Sequence, residues 1–119
     1  NGYMVTQSGN PYLATRAFEC IKKTMENVGF NIAPIHNHVL SMGEWSWVIG
    51  SKDLTSTQLK SRLEQGTYSD IETRWLNQES VKMMLNFGKP LEDTAGVEVN
   101  TINNPVLYQY QLNGNWGHY

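Results

Sequence analysis

The chain has 119 residues, 9 basic and 11 acidic, for a net charge of −2. That is one domain's worth of polypeptide, and 39% hydrophobic against 17% charged residues supports a core and excludes wholesale disorder. A single cysteine excludes an internal disulfide framework and a multi-cysteine zinc site. The near-neutral charge offers no basic face, so nucleic acid is not an expected partner, and no apolar run approaches the roughly 18–20 residues of a bilayer span.

Tyr3-Met4-Val5-Thr6-Gln7 is short, β-prone and mostly apolar, and stops at Ser8-Gly9-Asn10. It reads as a buried strand running into a loop. Asn10-Pro11 then supplies a helix N-cap with proline at the first helical position. Behind it Ala14, Ala17, Phe18, Ile21, Met25 and Val28 recur at steps of three and four, which predicts one apolar stripe, and Gly29 closes the helix as a left-handed cap. Phe30 to Val39 reads as a second strand, placed at a sheet edge because Pro34 cannot donate to a ladder. After the break at Ser41-Met42-Gly43, Glu44 to Ser51 alternates, with Trp45, Trp47 and Ile49 on one face and Ser46, Val48 and Gly50 on the other. The two runs are expected to form an antiparallel hairpin.

From Lys52 the texture is helix and loop. Ser56 is the expected cap of a helix carrying Leu59 and Leu63 and ending near Gly66. Asn77 is the expected cap of a second helix, Gln78 to Phe87, with Leu76 and Val81 spaced as a hydrophobic staple. Gly88 and Pro90 end it, and an Asn-rich tail follows with one expected strand, Val106 to Tyr110. The strand-helix-strand-strand order is half of an α/β sandwich. The start at Asn1, with a strand under way by Tyr3, gives the further expectation of a piece of something longer. Residues 1–52 form the expected β-α-β-β core and 53–119 a helical region and tail, together one unit.

Little of the chemistry is self-sufficient. His36 and His38 lie two apart on a strand and project to the same face, but two ligands do not make a metal site and no third lies at a recognisable spacing. His118 lies in the tail. Cys20 sits by the apolar stripe without a local base, as a packing residue rather than a nucleophile. Glu19, Lys22, Lys23 and Glu26 read as a solvated helix face, and Asp70 and Glu72 as loop surface. Glycine spacing matches neither a dinucleotide nor a P-loop pattern. The most informative cluster is Ser41-Met42-Gly43-Glu44-Trp45-Ser46-Trp47. A carboxylate beside an indole suits a cationic amine, by charge pairing and by the negative face of the ring; a hairpin with tryptophan in its core explains the same residues.

Several segments resemble, in order, the C-terminal part of the spermidine synthase (polyamine aminopropyltransferase) family. These are Val5-Thr6-Gln7-Ser8-Gly9-Asn10-Pro11-Tyr12 with Ala17-Phe18-Glu19-Cys20-Ile21, then Gly43-Glu44-Trp45-Ser46-Trp47-Val48-Ile49-Gly50-Ser51-Lys52, then Thr73-Arg74-Trp75-Leu76-Asn77 with Val81 and Phe87. The second segment is most similar to members with a membrane-embedded N-terminal region. The resemblance implies the C-terminal half of a Rossmann-like, methyltransferase-type sheet, with Tyr3–Gln7 as its fifth strand and the hairpin as its closing pair, Glu44–Ser51 lying beside Tyr3–Gln7. It implies transfer of an aminopropyl group from decarboxylated S-adenosylmethionine, the co-substrate, to a diamine such as putrescine. The family's glycine-rich loop, ribose-binding acid and catalytic aspartate match nothing in this chain, so no catalytic, cofactor-binding or metal-binding residue is expected in it.

What the resemblance does carry onto this chain is an acceptor-side wall. Gln7 matches a family glutamine that reaches the diamine, Trp45 matches a position that is often aromatic, and Glu44 is carried as an amine contact. Leu40 stands where many soluble members place a substrate-contacting tyrosine. The chain alone is expected to be inactive, to sit on the cytoplasmic side, and to form a homodimer through the exposed edge of Tyr3–Gln7. Two other readings are a non-enzymatic module gripping a ligand with Trp45, Trp75 and Trp116, and a methyltransferase-like relative without aminopropyl activity.

Overall fold

A computed structural model describes residues 2–114; His118 and Trp116 lie outside them. The elements run β1 (Tyr3–Gly9), α1 (Thr15–Asn27), β2 (Asn31–Val39), β3 (Gly43–Ser51), α2 (Ser56–Gln65), α3 (Gln78–Leu85) and α4 (Val106–Leu112). The sheet order is β1-β3-β2, and both outer strands pair antiparallel with β3. It follows that β1 and β2 run parallel, joined by α1 and separated by the strand inserted between them. This is an α/β arrangement compatible with part of a Rossmann-like sheet. The hairpin and the edge position of β2 with its Pro34 are as the sequence predicts, and β3 lies beside β1 as the family resemblance implies.

Helix α1 lies across one face of the sheet. Phe18 and Met25 pack on Ile32 and Val48, with Ile21, Phe30, Phe87 and Leu91 around them. The face of β3 that meets the helix is therefore Ser46-Val48-Gly50, all buried, while Trp45, Trp47 and Ile49 are half-buried on the other. Small residues at this face let the helix come close: a Cβ on Gly50 would sit 2.8 Å from Met25 Cε and 3.0 Å from Phe30 Cδ1. Helix α1 ends in a Schellman motif, in which Gly29 takes φ +97°. The Phe30 N–H then reaches the Met25 carbonyl at 3.1 Å and the Gly29 N–H reaches the Glu26 carbonyl at 3.0 Å. Helix α4 packs on α1, while α2 and α3 pack together along the outer edge of β2. The Ile32 N–H at that edge donates to the Ser56 hydroxyl at 3.2 Å.

Five local expectations are corrected. Strand β1 is buried only at its end, at Ser8 and Gly9: Tyr3 is 55% and Val5 58% exposed, and among the described residues no strand pairs with its outer edge. The Asn10 side chain does accept two N–H groups, from Tyr12 at 2.9 Å and Leu13 at 3.0 Å, but it caps a turn, and the regular helix begins only at Thr15. The cap of α2 is Thr55, which forms a capping box with Gln58; Ser56 is spent on β2. Helix α3 is capped by Asn77 as expected but ends at Leu85, before Phe87.

The last predicted strand, Val106 to Tyr110, is helix α4. Five β-prone residues are too short a run to separate a strand from a short helix, and tertiary contacts decide between them. The Leu107 N–H donates to the Asn100 side-chain oxygen at 3.1 Å, and the Tyr110 hydroxyl accepts the Glu98 N–H at 3.1 Å. The Arg16 guanidinium of α1 lies 5.1 Å from the Tyr110 ring centre. Among the described residues, no helix is long and apolar enough to cross a membrane.

Candidate functional site

Parallel β1 and β2 bring their C-terminal ends to the same end of the sheet as the N-terminal end of β3. That end carries Gln7, Ser8, His36, Glu44, Trp45 and Ser46, and it is where an open α/β sheet presents ligand-binding groups. A β-bulge shapes it. Gln7 pairs with Trp47 and Gly9 with Ser46, so Ser8 is an extra residue in β1. Gly9, at φ +76°, takes the backbone out of the strand there. The bulge is fastened from inside. The Ser46 hydroxyl donates to the Gly9 carbonyl at 2.7 Å, which leaves Ser8 to donate to Ser46 across 2.6 Å. All these groups are buried.

The fastened bulge sets Gln7 against Trp45. The indole Nε1–H donates to Gln7 Oε1 at 3.2 Å, so two of the three residues singled out in the sequence meet. The third does not join them. Glu44 shares a face with Ser46, one strand position away from Trp45, and its Oε2 lies 2.9 Å from His36 Nδ1. His36 Nε2 lies 2.6 Å from the Asn86 carbonyl oxygen, and its ring centre lies 4.4 Å from that of Phe87. The hairpin register puts His38 opposite Glu44 and His36 opposite Ser46, so His36 and Glu44 are diagonal neighbours.

Ser8, Ser46 and Asn86 carry no signal of their own in the sequence. The His36–Glu44 pair does: once the turn is centred on Ser41, the register places them within reach. The other candidate residues scatter. Trp75 is 70% exposed and lines a separate cleft of about 240 Å³ with Asn37, His38, Leu40, Ser80, Met83 and Met84, in which Trp45 takes no part. Cys20 is a buried thiol. Burial pushes it above its ordinary value, while a hydrogen bond from Thr24 and one from the Asn100 backbone pull the other way. A thiol held neutral in this way is a packing group.

Several curated proteins match nearly the whole chain. It is 33% identical over 111 residues to a polyamine aminopropyltransferase of Shewanella oneidensis and 34% identical over 113 residues to polyamine aminopropyltransferase 2 of Aquifex aeolicus. It is 28% identical over 109 residues to polyamine aminopropyltransferase 2 of Ralstonia nicotianae, and each match covers 92% of the chain. The chain belongs to the spermidine synthase family. It spans about a fifth of those relatives' length, 19 to 21% of each. No family model matches the chain. The sequence segments that resemble that family carry Gln7 on one side of the contact and the hairpin of Glu44 and Trp45 on the other.

Proposed function

We propose that this chain forms the amine-acceptor wall of a polyamine aminopropyltransferase. Such an enzyme moves an aminopropyl group from decarboxylated S-adenosylmethionine to a diamine such as putrescine. The observation that carries the reading is the Gln7–Trp45 contact at the ligand-facing end of the sheet, in a chain whose curated relatives bear that enzyme's name.

A diamine arrives as an ammonium and attacks as a neutral amine, so it needs a place that receives N–H groups and lowers the cost of leaving water. The Gln7 amide oxygen keeps a second lone pair after accepting from Trp45, and that lone pair can take an ammonium hydrogen. The Trp45 ring offers its negative face to the same cation. Glu44 enters as an amine contact only in exchange for its His36 partner. In the reaction the amine, having lost a proton, attacks the carbon beside the sulfonium. The carbon–sulfur bond breaks, and the sulfur leaves as a neutral thioether.

On this reading the transfer itself depends on the family's nucleotide loop and catalytic aspartate, which match nothing in this chain. The chain alone is then inactive. Incubating it with decarboxylated S-adenosylmethionine and putrescine tests this, and spermidine formed above the uncatalysed background contradicts it. Saturable quenching of tryptophan fluorescence by a glycan, with none by polyamines, contradicts the amine wall itself. We also propose that a second copy pairs along the outer edge of β1, where Tyr3, Met4 and Val5 are exposed.

A further inference from the structure

His36 is placed between two acceptors. The carboxylate of Glu44 and the backbone carbonyl of Asn86 offer lone pairs and no hydrogen, and they lie 2.9 Å and 2.6 Å from the two ring nitrogens. A neutral imidazole carries one N–H. In either tautomer, one of these short contacts would therefore set a lone pair against a lone pair. The imidazolium alone makes both of them hydrogen bonds, one of them to a charged partner and so among the stronger kind.

We propose that His36 is a proton-linked latch. Charged, it ties the β2–β3 hairpin, through Glu44, to the segment following α3, through Asn86; on losing its proton it lets that segment go.

The segment is suited to this. Asn86 is otherwise held by its own helix, its N–H on the Met83 carbonyl at 3.2 Å and its side-chain amide on the Lys82 carbonyl at 2.6 Å. Phe87 then rests its ring on His36 and, at 5.8 Å between centres, on Phe18. Gly88, Lys89 and Pro90 beyond it are exposed. Phe87 through Leu91 form one wall of an open groove whose other wall is Phe18, Lys22 and Pro34. Opening the latch frees the ring of Phe87 from the imidazole and widens that groove beside the core.

The charged groups around the latch do not stand in for it. Lys22 of α1 is held by Glu19 at 2.9 Å, and Lys89 lies 5.2 Å over the Tyr12 ring. Lys82 of α3 lies 3.8 Å from Glu79. His38, opposite Glu44 in the register, is the one other imidazole close by among the described residues and serves as the control. The latch rests on the donor count at His36 and not on what the neighbouring wall binds.

The experiment is a pH titration of the whole chain by NMR, reading the His36 ring nitrogens and the Phe87 ring signals together. The expected result is a His36 ring protonated at both nitrogens while Phe87 is packed, and a Phe87 shift with the same midpoint as the loss of that proton. In H36Q the Phe87 response disappears, and in H38Q it stays. A single neutral tautomer of His36 with Phe87 packed, or a Phe87 response that survives H36Q, overturns the proposal. E44Q, which keeps the ring and the Asn86 carbonyl, covers the case in which H36Q does not fold. Its carboxamide can donate to the neutral ring, so the Phe87 response weakens or moves to lower pH, and an unchanged response overturns the latch.

Discussion

The Trp45 indole N–H and the Gln7 side-chain oxygen meet at 3.2 Å across two strands and 38 residues of chain. Each residue faces its neighbour because the β1 bulge, fastened by Ser46, orients the end of the strand. A neutral hydrogen bond of this kind contributes about 0.5–1.5 kcal/mol net. A double-mutant cycle with Gln7→Ala and Trp45→Phe should return a coupling of that size in urea unfolding. Additive single effects contradict the contact.

Ser46 is the fastener. Replacing it with Ala leaves the Gly9 carbonyl and the Ser8 hydroxyl buried without their partner, a loss of about 1–3 kcal/mol. The double variant Ser8→Ala, Ser46→Ala should cost less than the two single changes summed, because the second change removes a group that the first had stranded. Chemical denaturation measures both, and strict additivity contradicts the shared network.

Much of this was legible in the sequence, and the misses have physical causes. The spacing of Ala17, Phe18, Ile21 and Met25 fixes the buried face of α1 over many residues, and Pro34 marks β2 as an edge. Those signals are local and repeated. Val106 to Tyr110 offered too short a run to separate period two from period 3.6, and its helix is decided by Asn100, Glu98 and Arg16 from elsewhere. The cap of α2 shifted from Ser56 to Thr55 because both residue types cap well and Ser56 had another use at the edge of β2. Gln7 and Trp45 stand out through the family resemblance, but their contact needs a strand order that periodicity does not give. In the sequence Glu44 stands open to a ligand, because the partner that holds it, His36, becomes a neighbour only once the hairpin register is known.

Cys20 gives an alkaline signature. Burial raises its thiol in the folded chain above the ordinary value of 9.0. Its contribution to stability is whole below that value and is lost as pH rises through the folded one, because ionisation then favours the unfolded chain. Thermal unfolding should show a shallower alkaline decline for Cys20→Ala than for the parent chain. A thiol reagent added at neutral pH should react slowly until denaturant is present; fast reaction with the folded chain contradicts the burial.

The exposed edge of β1 predicts self-association. Light scattering of the chain at high concentration should report a dimer, and Val5→Lys, which puts a charge on the edge strand, should return it to a monomer. A parent chain that is monomeric at high concentration contradicts strand pairing at this edge.

The most direct test of the amine wall is the indole N–H signal of Trp45, assigned by NMR and followed as putrescine is added to the chain. The wall predicts a saturable shift of that signal together with the Gln7 side-chain amide, reduced in Gln7→Ala and absent with a neutral glycan. An indole signal that ignores putrescine, or that moves only for the glycan, contradicts it.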